Sequence, residues 1–329
     1  GFKYSEKYGY ISMITMESWM FLSAFEKMRR NLIKYKTIIN MVHMPYLGRG
    51  GTSLGISFGT SATIMLNLKI KRYLSTYNYI RYFETDDDGV PISFPTINER
   101  YNIVSLENFS KVPGNPIAYW VSKNLLNKFL EYRKLSDYAK VVTGMTTADN
   151  ERFLRKWYEV SYNNIGFNCL NNDDSIRSMK KWFPYQKGGY FRKWFGNNEY
   201  VVNWKNDGYE IRNNIDLVTG KVRSGSYNTD YIFNEGITWT YISSASFGVR
   251  YVQKGFIFDN KGSMIFSKDN IYYLLGLLTT KIVYDILKLL NPTMSFQPGD
   301  IGMIPTIISN KEYIVKIVKD NIYISVNDW

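Results

Sequence analysis

Histidine and cysteine are almost missing from this chain: His43 and Cys169 stand alone among 329 residues. A single cysteine closes no disulfide within the chain, so nothing points to a secreted, disulfide-stapled fold. One residue of each kind also excludes the usual His and Cys zinc sites. A Ser-His-Asp triad would have to use His43, which falls in TIINMVHM (37–44), an apolar run that reads as a core strand. A buried, bonded packing histidine is the expectation there. No Walker loop occurs, because GRGGTSLG (48–55) lacks both the spacing and the lysine. ETDDDGVP (84–91) invites a calcium reading, but the twelfth position counted from Glu84 is Pro95, which supplies no bidentate carboxylate. The most apolar stretch, NIYYLLGLLTTKIVYDILKLL (270–290), is interrupted by Lys281, Asp285 and Lys288 at helical spacing. It therefore reads as a buried helix with one polar stripe and not as a membrane span. No amino-terminal signal peptide is visible, and no pair of carboxylates stands out by spacing. Taken on residues alone, the chain shows no catalytic engine.

Positive charge and aromatic rings are plentiful instead. Lys plus Arg number 41 against 29 acids, a net charge of +12, and 45% of residues are hydrophobic. The core can therefore be sizeable, two domains fit the length, and a polyanion is the first candidate partner. The densest strip is KKWFPYQKGGYFRKWFG (180–196). It combines Lys180, Lys181, Lys187, Arg192 and Lys193 with seven aromatics, contains no acid, and pivots on Gly188 and Gly189. Two readings stand side by side. The rings form a core and the charges a solvated face; or the glycines make a loop tip whose flanking Lys and Arg contact phosphates. Similar elements recur at NERFLRKW (150–157), with Arg152, Arg155 and Lys156, and at FGVRYVQKG (247–255), with Arg250 and Lys254.

Along the chain, YGYISMIT (8–15) reads as a strand, ESWMFLSAFEKMRRNLIKY as an amphipathic helix, TIINMVHM as a strand, PYLGRGGTSLG as a glycine-rich loop and ISFGTSATIMLNLKI as one or two strands. This suggests part of an α/β sheet, too short for a complete doubly wound domain. Prolines 91, 95, 113 and 116 mark a connecting region, followed by a helix near 118–134. From about 135 the segments are short, aromatic and turn-broken. EYVVNW, GITWTYIS, GVRYVQKGFIFD and GSMIFS read as strands, with EYIVKIV and NIYISV as a closing strand pair. The expected division is therefore 1–83, 84–134 and 135–329. No repeat is visible, and the lack of heptads suggests a monomer.

Taken together and in order, MESWMFLSAFEKMRRNLI, GRGGTSLGISFGTSATIML, ADNERFLRKWYEV, the 180–204 strip, ITWTYISSASFGVRY and NPTMSFQPGDIGMIP resemble amino-methylating DNA methyltransferases. The likeness, over roughly 8–308, is nearest to the large adenine-specific enzymes of BREX phage-defence systems, the PglX type. It implies N6-methylation of adenine in double-stranded DNA, with S-adenosylmethionine as donor and no metal. It implies an α/β fold, the late half of a Rossmann-like methyltransferase sheet (1–83), a connecting region and helix (84–134), and an α+β, strand-rich target-recognition domain (135–329). The family's glycine-rich cofactor motif and its Asn-Pro-Pro-Tyr motif are both absent here. The resemblance therefore implies a carboxy-terminal fragment, inactive alone, whose cofactor is bound mainly by residues upstream. The family flips its target adenine and stacks it between rings, and Phe58 is the candidate ring on this chain. Arg49, Arg152, Arg155, Lys180, Lys181, Lys187, Arg192, Lys193, Trp194, Arg250 and Lys254 are the candidate DNA contacts. Other phage-defence proteins are possible partners, no membrane is expected, and the bacterial cytoplasm is the expected place. A fused restriction endonuclease, or a non-enzymatic DNA- or protein-binding module, are the alternatives. An upstream nuclease cluster would favour the first, and absence of the adenine-holding motif upstream the second.

Overall fold

The computed structural model describes the chain except for residues 45–57, 89, 96, 244, 245 and 292. Two compact units result, residues 1–132 with 289–292 and residues 133–288 with 293–329.

In the first unit, β-branched and aromatic runs make five strands: β1 (Tyr10–Met16), β2 (Thr37–Met44), β3 (Thr60–Leu66), β4 (Leu74–Tyr79) and β5 (Asn102–Ser105). They form one sheet in the order β1-β3-β2-β4-β5. β3 runs antiparallel to both β1 and β2, and β4 is parallel to β2. Hence β1, β2 and β4 all point the same way and their carboxyl ends share one edge of the sheet. Residues 17–35 are less regular than a single helix. Two short 3-10 turns (Glu17–Met20 and Ser23–Phe25) precede α1 (Glu26–Tyr35). Arg29 of α1 explains how the turns are held: its buried guanidinium donates to the carbonyls of Trp19, Leu22 and Gly114. Trp19, Met20, Ile38, Met41, Tyr77 and Phe109 lead the core of this unit. The helix expected near 118–134 is the shorter α2 (Lys123–Glu131), started by the Ser122 hydroxyl accepting from Leu125 N–H. β1 is an edge strand and leaves Tyr10, Met13, Ile14 and Met16 exposed.

The second unit contains β6 (Arg133–Lys134), β7 (Lys140–Val142), α3 (Asn150–Phe153), β8 (Leu154–Lys156), α4 (Asn172–Arg177), β9 (Trp182–Gln186), β10 (Tyr200–Asn203), α5 (Lys205–Arg212), β11 (Gly236–Trp239), β12 (Val249–Val252), β13 (Ile257–Phe258), β14 (Met264–Phe266), α6 (Ile271–Leu278), most of α7 (Lys281–Leu290), α8 (Pro298–Gly302), β15 (Pro305–Thr306) and α9 (Lys311–Asp328). Its strands form two four-stranded sheets, β13-β9-β10-β8 and β12-β11-β14-β7, beside the pair β15-β6. Phe153, Phe183, Tyr185, Trp204, Phe233 and Ile257 dominate a largely aromatic core.

Two expectations need correction. The apolar stretch 270–290 is two helices, α6 and α7, parted at Thr279 and Thr280, whose hydroxyls turn back onto the carbonyls of Gly276 and Leu277. The expected closing strand pair is one helix, α9. Its Ile and Val residues favour strand locally. Packing overrides this: Ile314 and Val318, four residues apart, both bear on Gly276 of α6, where a Cβ would come within 2.8 Å of Val318.

Candidate nucleic-acid interface

The basic-aromatic strip divides sharply. Its first part is β9, buried at every position, antiparallel to β10 and parallel to β13. Trp182, Phe183 and Tyr185 are therefore core rings, the first of the two readings. Lys187 is not a free cation. Its ammonium sits 2.7 Å from the Asp259 carboxylate, which also accepts the Tyr185 hydroxyl at 2.7 Å and is itself buried. Burial first, and then Asp259, hold the Tyr185 hydroxyl far above its ordinary pKa. Lys187 neutralises a buried acid, and this commitment removes it from the set of available phosphate contacts.

Gly188 and Gly189 then take φ of 94° and 118°, a turn open to glycine. Gly188 is not an exposed tip. It is buried, and a Cβ on it would lie 2.9 Å from the Lys261 carbonyl. Beyond it the chain surfaces: Tyr190 is 91% exposed. Residues 192–195 next run beside β12. Trp194 N–H donates to the Val249 carbonyl and Tyr251 N–H to the Trp194 carbonyl, both at 2.8 Å. One segment thus leaves the first sheet of this unit and joins the second.

The candidate contacts fall into two groups. Arg155 and Lys181 both lie over the Trp182 ring, at 5.7 and 5.6 Å. Arg152 pairs with Glu210 at 3.5 Å. Hydrogen bonding from Asn203 leads the causes that depress the Glu210 carboxyl, with the charges of Lys181 and Arg152 assisting. Lys180 is tied to the Asn163 carbonyl at 2.5 Å and Arg155 to the carbonyls of Glu151 and Leu154. The second group is Arg192, Lys193, Trp194 and Arg250. Arg192 lies over the Trp329 ring at 4.5 Å, and exposed Lys193 reaches the Thr279 carbonyl at 3.2 Å. Arg250, central in β12, is fully buried, so the expectation of a surface contact there fails: a side chain in that pleat faces the core. Its Nη1 donates to Thr240 at 3.0 Å, while Nε and Nη2 have no partner among the described residues, and burial with the nearby Arg192 charge lowers its pKa to about 10. Lys254 stands apart, exposed in the turn between β12 and β13. Arg49 lies outside the described residues.

Phe58 is 38% exposed and sits two residues before β3 begins, at the edge where β1, β2 and β4 end. Sequence reading missed what surrounds it. Glu17 follows β1, and its N–H donates to the Gly59 carbonyl at 2.8 Å. The Glu17 carboxylate accepts from His43 Nε2 at 2.7 Å, and His43 Nδ1 meets the Tyr119 hydroxyl at 2.9 Å. His43 is 3% exposed with both nitrogens engaged, edge-on to Tyr79 and Tyr119 and stacked near Trp120. No sequence spacing signals this chain of bonds, because its members lie 26 and 76 residues apart. The polar side chains at this edge bond one another, and the open side of Gly59 is filled by the Glu17 carboxylate, which a Cβ on the glycine would overlap.

The fold is shared with restriction-modification enzymes. The chain superposes over 95% of its length on 41% of the Type IIL restriction-modification enzyme MmeI, solved in complex with DNA (TM-score 0.55, 10% identity). It also superposes over 96% of its length on 35% of a nuclease-deletion mutant of the Type ISP enzyme LlaGI, solved with a DNA substrate mimic (TM-score 0.50, 12% identity). Sequence relatives narrow the class. The chain is 37% identical, over 98% of its length, to the adenine-specific methyltransferase PglX of Lacticaseibacillus casei (strain Zhang), and 36% identical, again over 98%, to the adenine-specific methyltransferase BrxX of Escherichia coli O9:H4 (strain HS). The resemblance to PglX-type adenine-specific methyltransferases is thereby established, and the chain spans about a quarter of the length of these relatives. No family model matches the chain. No helix among the described residues is long and apolar enough to cross a membrane.

Proposed function

We propose that this chain is the carboxy-terminal portion of an adenine-N6 DNA methyltransferase of host modification and phage defence. In this reading the first unit is the far edge of the catalytic sheet and the second is the target-reading unit. The observation that carries it is identity of 36–37% with two adenine-specific methyltransferases along nearly the whole chain. One feature of the fold supports the fragment reading: among the described residues β1 is an edge strand with exposed apolar side chains, suited to pairing with a further strand. S-adenosylmethionine then binds mainly outside this chain, and the chain alone does not methylate. Phe58, exposed at the carboxyl edge of the parallel strands where ligands of α/β sheets gather, stacks the flipped adenine. Lys181, Lys193 and Lys254, with Arg152, Arg155, Lys180 and Arg192, supply phosphate and base contacts.

The test is anisotropy of a fluorescent random-sequence duplex titrated with the chain between about 50 and 200 mM salt, where phosphate contacts reveal themselves. Binding that weakens steeply with salt supports the reading. No binding at low salt overturns the assignment of an independent DNA-reading surface to this chain.

A further inference from the structure

The Glu17, His43 and Tyr119 chain has a cost that packing alone does not explain. Burying a histidine is compatible with stability only if both ring nitrogens are bonded, and here one partner is a carboxylate that could have faced solvent. Glu17 is instead drawn inward: its side chain is 18% exposed and its carboxylate lies against Gly59. Its backbone is fixed to the same glycine through the bond from Glu17 N–H to the Gly59 carbonyl. The relay is therefore anchored at one end in the buried Tyr119 and at the other in the residue after Phe58. The neutral tautomer with hydrogen on Nε2 satisfies every link: Tyr119 donates to Nδ1, and Nε2 donates to Glu17. Ser61, two residues beyond Gly59, is held from the same side by Trp19 Nε1 at 2.9 Å and by Thr15 at 3.3 Å. The start of β3 is thus held at Gly59 and at Ser61, while Phe58 beside it is part-exposed.

We infer that Glu17, His43 and Tyr119 are positioning residues that fix the Phe58–Gly59 turn as a preformed wall for the flipped base. This rests on the reading of Phe58 given above and deepens it. A ring that must stack on a base needs its plane set before the base arrives, and a misplacement of about 1 Å can cost about 100-fold in rate. The relay supplies that rigidity from beneath, without touching the substrate. Gly59 is required for the same reason: any side chain there displaces the Glu17 carboxylate.

The experiment uses the intact methyltransferase, with duplex carrying 2-aminopurine at the target adenine, and reads fluorescence on binding, kcat and KM for methyl transfer, and thermal unfolding. Phe58→Ala, Glu17→Ala, Glu17→Gln, Gly59→Ala and Tyr119→Phe are compared. The inference expects Glu17→Ala and Gly59→Ala to lower kcat about 100-fold with KM for DNA little changed, and to alter the 2-aminopurine signal as Phe58→Ala does. Glu17→Gln, whose amide oxygen still accepts from His43, should recover most of the rate. Tyr119→Phe, which keeps the packing and loses the hydroxyl, should show a smaller loss of the same kind and decides the matter if Glu17→Ala does not fold. If Phe58→Ala loses turnover while Glu17→Ala, Gly59→Ala and Tyr119→Phe retain both signals, the relay is structural only and the inference falls while the stacking role stands. If Phe58→Ala itself retains both, the stacking role falls and the inference with it.

Discussion

The two halves of KKWFPYQKGGYFRKWFG share a composition and meet opposite fates. Trp182–Gln186 is buried at every residue as a strand between two others, whereas Tyr190 and Phe191, a few residues on, are exposed. What separates them is hydrogen-bonding position. A strand paired on both sides inside a packed unit buries whatever it carries, and the glycine turn then releases the chain toward solvent. Basic and aromatic content alone does not mark a binding surface; the chain's place in the sheet decides which rings and charges remain available.

The comparison breaks most visibly in the core. Phe183→Ala should cost about 3–5 kcal/mol, whereas Tyr190→Ala should stay within about 0.5 kcal/mol; urea denaturation of both variants tests the contrast, and equal losses would erase it. Next, Asp259→Ala should cost about 3 kcal/mol, because it strands the half-buried Lys187 ammonium and leaves the Tyr185 hydroxyl without its acceptor. In the same assay Lys187→Met should be milder, since the Asp259 left behind keeps its bonds from the Tyr185 hydroxyl and the Lys261 N–H. Gly188→Ala should cost about 1–2 kcal/mol from its left-handed φ alone. Charge reversal at exposed Lys181, Lys193 and Lys254 should leave unfolding midpoints nearly unchanged. It should flatten the salt dependence of DNA binding by about one unit of slope for each phosphate no longer neutralised. A steep slope retained in the triple variant would remove these residues from the interface.

The smallest effect concerns pH. Burial alone would raise the Glu107 carboxyl, but hydrogen bonds from Lys69, Ser105 and the Arg72 N–H outweigh it and bring the pKa to about 2. A folded-state value below the unfolded one contributes stability that is complete above the unfolded carboxylate range and disappears as pH falls toward about 2. Glu107→Gln should therefore flatten thermal stability between about pH 4.5 and 2, modestly, because the group is well exposed and its pairs are screened.

Three strands of the first unit, β1, β2 and β3, were legible from their apolar, strand-forming runs, whereas β4 (LSTYNY) was not read and β5 fell in the stretch read as a connecting region. That β3 inserts antiparallel between β1 and β2 was not legible, since no local pattern encodes which neighbour a strand chooses. EYIVKIV and NIYISV misled for the opposite reason: their Ile and Val content is that of a strand, and only the glycine of a distant helix makes them a helix. His43 was legible as a packed histidine, but Glu17 and Tyr119 beside it were not, because their meeting is a product of the sheet order. Arg250 looked like a surface arginine beside aromatics, and the pleat of β12 turned it inward.

One feature of the second unit bears on how its surface can vary over generations. The run from Tyr185 to Tyr251's partner Trp194 is sewn into one sheet at its start and into the other at its end. A seam of that kind has a fixed length. Adding or deleting a residue between the stitches would pull one panel out of register with the other, so drift in this stretch has room for exchange of side chains, at Tyr190, Phe191 and Lys193 above all, and little room for insertion.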